Sequence, residues 1–487
     1  MSFISRSHRF TVLGTIACLC LIVLGSGFAE AATPELLRIQ TQTPLSLEQL
    51  LEAARTHNPD LQKAKLDLTV NRMLKLSAVG DFLPSLGVGY QISQSSYYSP
   101  TYTNPDGTVS SYPLTTTEST FYIDSLGYYR QGPSQTATYP VPEGERRNSS
   151  FYISLQASLN LGGQEILGLD NAIKSIEMNQ LNLEGTTQQV ESDIRQQYYQ
   201  VLAYQKLLEL ARRVLDQIQD QLDLAEARFE VGSVTQMDVM QAEIDVGNQE
   251  NNVLSAEHNL QMSREELNRL LGIDLSSEYP LVDEFRVFPP EYTLDDLVKQ
   301  ALANRPDFKL SQLSSDMYKN NVKMNYGNYL PNLTGSISHS RSEQSGTNVS
   351  FTLDPRNRST QYSLGLSWSI FDGFGREKAL QEARVAHRQA QLDQVVLEQS
   401  IEQSVRQAYY TLIRIWDQSK ITEKNRDLAR RHLELEQERY RLGSASQLEL
   451  RSSQVTYTQA ETDHISKTLE YLINLALLEE AVGGLLQ

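Results

Sequence analysis

Cysteine is almost absent from this sequence. The 487 residues include only two cysteines, Cys18 and Cys20, and both lie near the N-terminus. A disulfide framework and cysteine metal sites are therefore excluded for the rest of the chain. The seven histidines are scattered and form no H-x-x-x-H or H-E-x-x-H pair, which argues against a helical zinc enzyme. We find no catalytic constellation and expect neither an enzyme nor a bound cofactor or metal.

Basic residues are outnumbered by acidic ones. Lysine and arginine total 43 against 60 aspartates and glutamates, which gives a formal net charge of −17. Contacts to phosphates need a basic face, so nucleic acid is not an expected partner. The many acidic side chains are expected to lie on the solvated faces of helices.

Proline is missing from two long stretches. None occurs between Pro142 and Pro280, and none follows Pro355. Because proline interrupts helices, these gaps predict helices of unusual length. After the first thirty residues, no run of 18 consecutive apolar residues occurs, so the sequence predicts no helix that spans a bilayer.

The first 31 residues have the pattern of a secretory signal peptide. Arg6 and Arg9 precede an apolar run from Phe10 to Phe28, and the small-x-small sequence Ala29–Ala31 follows. Cleavage near Ala31 would leave a mature chain without cysteine. A transmembrane anchor and lipidation at Cys18 are the alternative interpretations of this segment.

The remaining sequence contains an internal repeat of two copies. Residues 47–60 recur at 294–307, and residues 151–272 align without a gap on 362–483. The two offsets, 247 and 211, differ by 36 residues, which indicates an insertion in the first copy between Pro84 and Phe151. We therefore expect a first structural repeat at 32–272, a linker at 273–293 and a second structural repeat at 294–487.

Each copy contains two segments in which apolar and polar residues alternate. They lie at 86–92 and 151–161 in the first copy, and at 333–337 and 362–370 in the second. Such alternation predicts half-buried strands. A soluble sandwich is one interpretation, but roughly ten-residue strands with one polar face also suit a membrane barrel with a wet lumen. Four strands cannot close a barrel, so several chains would share one. The insertion at 97–148 is rich in polar and turn residues, which indicates a loop, expected at the extracellular mouth.

Between these segments the apolar spacing becomes helical. A heptad seam runs from Val190 to Phe229, and a second seam follows from Val239 to Leu270. The stretch from Gly163 to Val231 predicts a helix about 100 Å long, and the second copy repeats it from Phe374 to Leu442. The predicted fold class is mixed but predominantly α, with long antiparallel coiled-coil helices and four strands per chain. A filament-forming coiled coil is the alternative, but it leaves the strands unexplained.

Several paired segments together resemble the TolC-type outer membrane efflux proteins. No single motif is decisive, but their duplicated order covers nearly the whole mature chain. The segments are Asn58-Pro59-Asp60 with Arg305-Pro306-Asp307, Asp81-Phe-Leu-Pro84 with Asn328-Tyr-Leu-Pro331, and the hairpin tips Arg228–Asp238 with Arg439–Glu449.

The resemblance implies an outer-membrane exit duct for drugs, small molecules or secreted polypeptides. In this interpretation a homotrimer forms a shared 12-stranded transmembrane β-barrel in outer membrane lipid, continued by an α-barrel into the periplasm of a Gram-negative bacterium. The implied partners are a periplasmic adaptor (a membrane fusion protein) and an inner-membrane transporter, as in type I secretion. A diffusion porin and an envelope-spanning structural protein are the alternative functions.

The two hairpin tips are the candidate adaptor contacts. Glycine at the end of a long helix typically adopts the left-handed conformation, which we expect for Gly232 and Gly443. In the family these turns meet the adaptor. The matching residues are Val231, Gly232, Ser233, Leu442, Gly443 and Ser444.

Asp238, Tyr440 and Glu449 are the candidate periplasmic gate. Thr235-x-x-Asp238 and Ser446-x-x-Glu449 also fit capping boxes, so helix capping alone is the simpler interpretation of both acids. The resemblance implies that Asp238 bonds Tyr440 and that Glu449 belongs to a lumenal acidic ring. Ser452 and Ala445 stand where some family members carry a second acid and a basic latch residue, so a weaker latch is expected.

Overall fold

Nine helices and eight strands form in the part of the chain that the computed structural model describes. That part comprises residues 38, 43–97, 101–111, 114–139, 144–282, 285–345 and 357–484. The expected signal peptide lies outside it. The described residues belong to two units. One lies within Met1–Leu68, Gln180–Leu310 and Val395–Gln487, and the other within Thr69–Asn179 and Ser311–Gln394.

Two very long helices dominate the secondary structure. The helices are α1 (Leu47–His57), α2 (Pro59–Thr69), α3 (Asn71–Gly80), α4 (Gln164–Glu230), α5 (Gln236–Leu271), α6 (Leu294–Asn304), α7 (Pro306–Gly327), α8 (Gly375–Arg441) and α9 (Gln447–Val482). Helices α4 and α8 each contain 67 residues, which corresponds to about 100 Å. Their ends lie within one residue of the predicted ends, so the helical interpretation of the proline-free stretches is confirmed.

The described residues of the first unit form two large buried apolar clusters, one in each half of the chain, and two smaller ones. The first joins α1 and α2 to α4 and α5, with Ile194, Tyr198 and Leu271 fully buried. Two polar members of the predicted seams are also accommodated. Gln197 Nε2 donates to the Ser263 carbonyl at 2.8 Å, and Gln249 Nε2 donates to the carbonyl of Ala211 at 2.8 Å. Helices α4 and α5 therefore pack along the seams that the heptad spacing predicted.

The second cluster joins α6 and α7 to α8 and α9. Its fully buried members include Leu297, Val405, Leu412 and Tyr471. The connecting segment at 273–293 is fixed to both halves by tyrosine hydroxyls: Tyr198 donates to Val282 O at 2.7 Å, and Tyr471 donates to Phe288 O.

The second unit contains an antiparallel sheet of four strands in the order β1-β6-β7-β8. The eight described strands are β1 (Ser85–Tyr97), β2 (Thr101–Thr103), β3 (Val109–Ser111), β4 (Leu114–Ile123), β5 (Tyr129–Tyr139), β6 (Gly144–Asn160), β7 (Asn332–Ser345) and β8 (Arg358–Ser367). Among the described strands, β1 pairs only with β6 and β8 pairs only with β7. The sheet thus has two open edges.

Strand register gives the sheet one apolar face and one polar face. Leu86, Leu155, Ile337 and Tyr362 are aligned across the four strands, and so are Gly87, Ser154, Ser338 and Gln361 on the opposite face. Much of the apolar face is exposed in the single chain, including Leu86, Val88, Tyr362 and Leu364. The predicted alternation is therefore correct, but its apolar side has no covering layer in one chain.

The insertion was wrongly interpreted as a loop. Within 97–148, strands β2 and β3 form one antiparallel pair, β4 and β5 form another, and β6 already begins at Gly144. Threonine and tyrosine favour extended backbone even where hydrophobic content is low, which polar composition alone did not register. The turn residues Gly107 and Gly127, both with positive φ, lie where the two short hairpins reverse.

Candidate functional site

The two hairpin turns that connect the long helices to their return helices are built alike. Gly232 follows α4 and Gly443 follows α8, each with φ of 73°. The N–H of Gly232 donates to Phe229 O, and the N–H of Ser233 donates to Arg228 O, both at 2.9 Å. This pair of bonds closes the helix in a Schellman motif, so the predicted left-handed glycine is confirmed.

The second turn repeats this geometry. Gly443 N–H donates to Tyr440 O at 3.1 Å, and Ser444 N–H donates to Arg439 O at 2.8 Å. In both turns the serine hydroxyl donates to the same carbonyl as its own N–H, at 2.9 Å. Ser233 and Ser444 thus fix the turn in addition to any contact they make with a partner.

Large apolar side chains are exposed at both turns. Val231 is 78% exposed and Leu442 is 80% exposed, although each directly precedes its glycine. Met237 and Leu448 are similarly exposed at the start of the return helices. Each turn therefore presents two uncovered apolar side chains within a few residues of its glycine.

Asp238 and Glu449 cap the return helices. The Asp238 carboxylate accepts hydrogen bonds from the Thr235 N–H and hydroxyl, both at 2.8 Å. The Glu449 carboxylate accepts from the Ser446 N–H at 2.7 Å, and the Glu449 N–H donates back to Ser446 Oγ at 3.2 Å. The capping interpretation is thus confirmed.

These capping bonds lower the pKa of both acids. The Thr235 hydroxyl is the largest cause of the lowered pKa of Asp238, and the Ser446 backbone N–H is the largest cause for Glu449. The Glu449 side chain is exposed, and the Asp238 side chain is partly exposed. They are therefore ionised and accessible to ions at neutral pH.

The surroundings of Tyr440 in one chain differ from the expected ones. Its ring is buried with Leu433 and Leu450, while the Arg228 guanidinium lies 4.6 Å from the ring centroid and donates to Tyr440 O at 3.1 Å. Within the described part of one chain, no hydrogen bond joins the Tyr440 hydroxyl to the Asp238 carboxylate. In one chain the Asp238 carboxylate accepts from Thr235 instead, and the Tyr440 side chain packs into an apolar cluster.

The structure adds polar contacts that the sequence analysis missed. Arg451 on α9 pairs with Asp245 on α5 at 3.0 Å, which ties the two return helices together. Glu436 is buried beside Tyr440, and Arg439 donates to one of its oxygens at 2.6 Å. Heptad spacing could have indicated Asp245, because it lies seven residues after Asp238 and so on the same helix face.

Among the described residues, no group of three or more His, Cys, Asp or Glu side chains is arranged to hold a metal ion. None of the described helices combines the length and apolar character that crossing a membrane requires.

Comparison with known proteins identifies the family. The sequence profile described as outer membrane efflux protein matches residues 50–273 and 297–484, which is most of the chain. The chain belongs to this family. It is 24% identical over 351 residues to the pyoverdine export outer membrane protein OpmQ of Pseudomonas putida, covering 70% of this chain and 72% of OpmQ. It is 22% identical over 458 residues to TolC of Escherichia coli, covering 90% and 82% of the two chains.

Solved structures share its fold. The Campylobacter jejuni outer membrane channel CmeC superposes with a TM-score of 0.70 at 14% identity, covering 95% of this chain and 91% of CmeC. VceC of Vibrio cholerae gives a TM-score of 0.68 at 16% identity, covering 90% and 96%. This outer membrane efflux protein thus belongs to the outer membrane of a Gram-negative cell and to a family of channels rather than enzymes.

Proposed function

We propose that this efflux protein is the exit duct of a tripartite export machine. Three copies would share one transmembrane barrel and one helical conduit that extends into the periplasm. A periplasmic adaptor and an inner-membrane transporter would deliver the substrate, which then crosses passively to the outside. The observation that carries this proposal is the combination of two features in one chain. The four-stranded sheet has two open edges and one apolar face, and two helices are each about 100 Å long.

The open sheet edges support a trimer. A strand edge carries unpaired N–H and C=O groups, which are costly in lipid unless another strand pairs with them. Since β1 and β8 each have one neighbour among the described strands of one chain, β8 of one copy can pair with β1 of the next. Three copies give twelve strands, enough to close a barrel around a water-filled passage.

Exposed apolar stripes on the long helices support the same assembly. Helix α8 presents large exposed residues at intervals of seven: Ile421, Leu428 and Leu435. Helix α5 presents Met240, Ile244 and Leu254, which also follow heptad spacing. Regular apolar seams that have no partner in one chain fit coiled-coil packing against a neighbouring copy.

The exposed turns are the proposed adaptor contact. Val231 and Leu442 offer apolar side chains for this contact. The two turns, which share the same geometry, hold them at the ends of the long helices. The substrate is proposed by analogy with OpmQ, whose name states export of pyoverdine. Small molecules are therefore the first substrate class to test, with drugs and secreted polypeptides after them.

We propose the gate at the same end of the helices. Asp238 and Glu449 would form acidic rings in the assembled duct, with Glu449 setting cation preference. Arg228 against Tyr440 and Arg451 against Asp245 would hold adjacent helices together and bias the aperture towards closed. The Arg451–Asp245 ion pair is partly exposed and is worth about 1 kcal/mol, so three copies could change the open fraction by about a hundredfold.

Single-cysteine crosslinking tests the adaptor contact. Because the only cysteines are Cys18 and Cys20, Val231→Cys or Leu442→Cys would provide a unique thiol in the processed chain. We expect either variant to crosslink to the adaptor in cells. Ser255→Cys is the matched control, because Ser255 is also exposed but lies on α5, 23 residues beyond Gly232. Crosslinking from Ser255→Cys alone would contradict the assignment.

A further inference from the structure

The internal repeat relates the contacts of the long helices to one another. At the offset of 211, α8 is the counterpart of α4, and α9 is the counterpart of α5. Buried clusters place α4 against α5, α8 against α9, and α4 against α9. The first two contacts are counterparts of each other, whereas the counterpart of the third is α8 against α5. Because both helices carry exposed apolar residues in one chain, α5 of a neighbouring copy can supply this contact.

The contact between α4 and α9 has a defined antiparallel register. Leu210 and Ile465 belong to one buried cluster, and eight residues towards the hairpin turns Ile218 and Tyr457 pack against the same cluster. Three residues further in the same direction, Gln221 Nε2 donates to Oε1 of Gln454 at 3.0 Å. An apolar contact and a hydrogen bond therefore give the same alignment of the two helices.

The same register aligns exposed apolar residues of α8 and α5. The counterparts of the clustered leucine and isoleucine are Ile421 and Leu254. In one chain Ile421 is 60% exposed and Leu254 is 61% exposed. Fourteen residues nearer the turns, this register aligns Leu435 with Met240, which are 66% and 54% exposed. Exposed apolar residues that match in pairs at heptad multiples are what packing of α8 against α5 of the next copy requires.

The hydrogen bond between the two glutamines has a polar counterpart as well. Gln221 corresponds to His432 on α8, and Gln454 corresponds to Glu243 on α5. Both residues are exposed in one chain. A histidine ring N–H is a donor and a glutamate carboxylate is a charged acceptor, so the counterpart pair keeps the capacity to bond.

We propose that the His432 ring of one copy donates a hydrogen bond to the Glu243 carboxylate of the next copy. His432 lies eleven residues before Gly443, and Glu243 lies eleven residues after Gly232, which is about 16 Å along each helix. The bond would lie between the two apolar pairs and would tie neighbouring copies together near the hairpin turns. This inference rests on the proposed function, because it requires copies of the chain to assemble side by side.

Paired cysteines test the register. The native cysteines lie within the expected signal peptide, so His432→Cys with Glu243→Cys gives the processed chain two thiols. The purified variant is treated with bismaleimidoethane, a short crosslinker, and separated on a denaturing gel. His432→Cys with Glu250→Cys is the matched control. Glu250 is also exposed, but it lies seven residues, or about 10 Å, further along the same face of α5.

Charge exchange tests the bond itself. His432→Glu sets two carboxylates against each other and should lower the temperature at which the assembled copies dissociate in detergent. Adding Glu243→His restores one donor and one acceptor, and should recover most of this loss. Glu250→His in the same background is the control and should recover none of it. Native mass spectrometry of the parent and of each variant records how many copies are assembled.

We expect covalent trimers from the matched cysteines and none from the control pair, together with thermal recovery from Glu243→His alone. Equal crosslinking from the control pair, no crosslinking, or crosslinks confined to single chains would overturn the register. Absence of recovery with Glu243→His, or equal recovery with Glu250→His, would overturn the bond. With a parent that has the mass of three chains, these failures would leave the proposed function intact. A parent that does not form three-copy assemblies would instead contradict the proposed function.

Discussion

At the scale of single residues, Phe374 provides a stability test, because it lies between β8 and α8 with a positive φ of 68°. Replacing it with alanine removes the ring but keeps a Cβ in the left-handed region, whereas glycine removes both. The Phe374→Gly variant should therefore be more stable than Phe374→Ala by about 1 kcal/mol per chain. Thermal unfolding midpoints in detergent measure this difference. At Phe371, whose φ is not positive, the same pair should reverse order, with glycine less stable. If the alanine and glycine variants had the same order of stability at both positions, backbone strain at Phe374 would be contradicted.

The capping acids make a second prediction at this scale, concerning pH. Their folded pKa values are lowered, so the ionised caps stabilise the turns above the ordinary carboxyl range and are lost as pH falls through the lowered values. Ser446→Ala removes the hydroxyl from the Glu449 cap and should move this acid transition to higher pH. Hydrogen exchange of the peptide around Glu449, corrected for the intrinsic pH dependence, measures it. An unshifted transition would mean that the cap does not control the turn.

Local spacing explains which site residues the sequence could predict. The caps and the left-handed glycines depend on neighbours within six residues, so Thr235, Ser446, Gly232 and Gly443 were identified from their positions alone. The environment of Tyr440 depends on helices far apart in sequence. The family resemblance implied Asp238 as the partner of Tyr440, but in the single chain the Tyr440 ring packs against Arg228. The Asp245–Arg451 pair was missed for the same reason.

At the scale of elements, Gly443 and Gly247 can be compared directly, because both have room for a side chain but their backbone conformations differ. A Cβ added at Gly443 or at Gly247 meets no atom within 4 Å, but only Gly443 has positive φ. Gly443→Ala should therefore strain the turn and cost about 1 kcal/mol, whereas Gly247→Ala should stabilise α5 by a similar amount. Local hydrogen exchange measures both changes. We also expect Gly443→Ala, and not Gly247→Ala, to weaken adaptor crosslinking from Val231→Cys. Equal effects would exclude the turn as the contact.

Element type was predictable where periodicity was strong. Both long helices were located within a residue because heptad seams and absent prolines agree along their length. The two short hairpins of the insertion were not, because threonine-rich strands with little hydrophobic alternation resemble loops in composition. Strand pairing order and the open edges of the sheet also required the structure, since alternation identifies a face but not a neighbour.

At the scale of the whole molecule, the open strand edges predict the oligomeric state. Three copies should remain together in mild detergent, because separating them exposes the edges of β1 and β8 and the apolar seams of α5 and α8. Native mass spectrometry should therefore give a mass of three chains. A stable monomer or dimer that still conducts ions in bilayers would contradict the shared barrel.

Single-channel recording of the purified protein tests whether it is a gated export duct. We expect a small, gated conductance that increases when Asp245→Asn and Arg451→Gln remove the ion pair between α5 and α9. Exchanging the two charges, with Asp245→Arg and Arg451→Asp together, should restore the low conductance of the parent. A large and permanently open conductance would indicate a diffusion porin. No conductance from a correctly inserted protein would indicate a structural tether, and either result would contradict the proposed export duct.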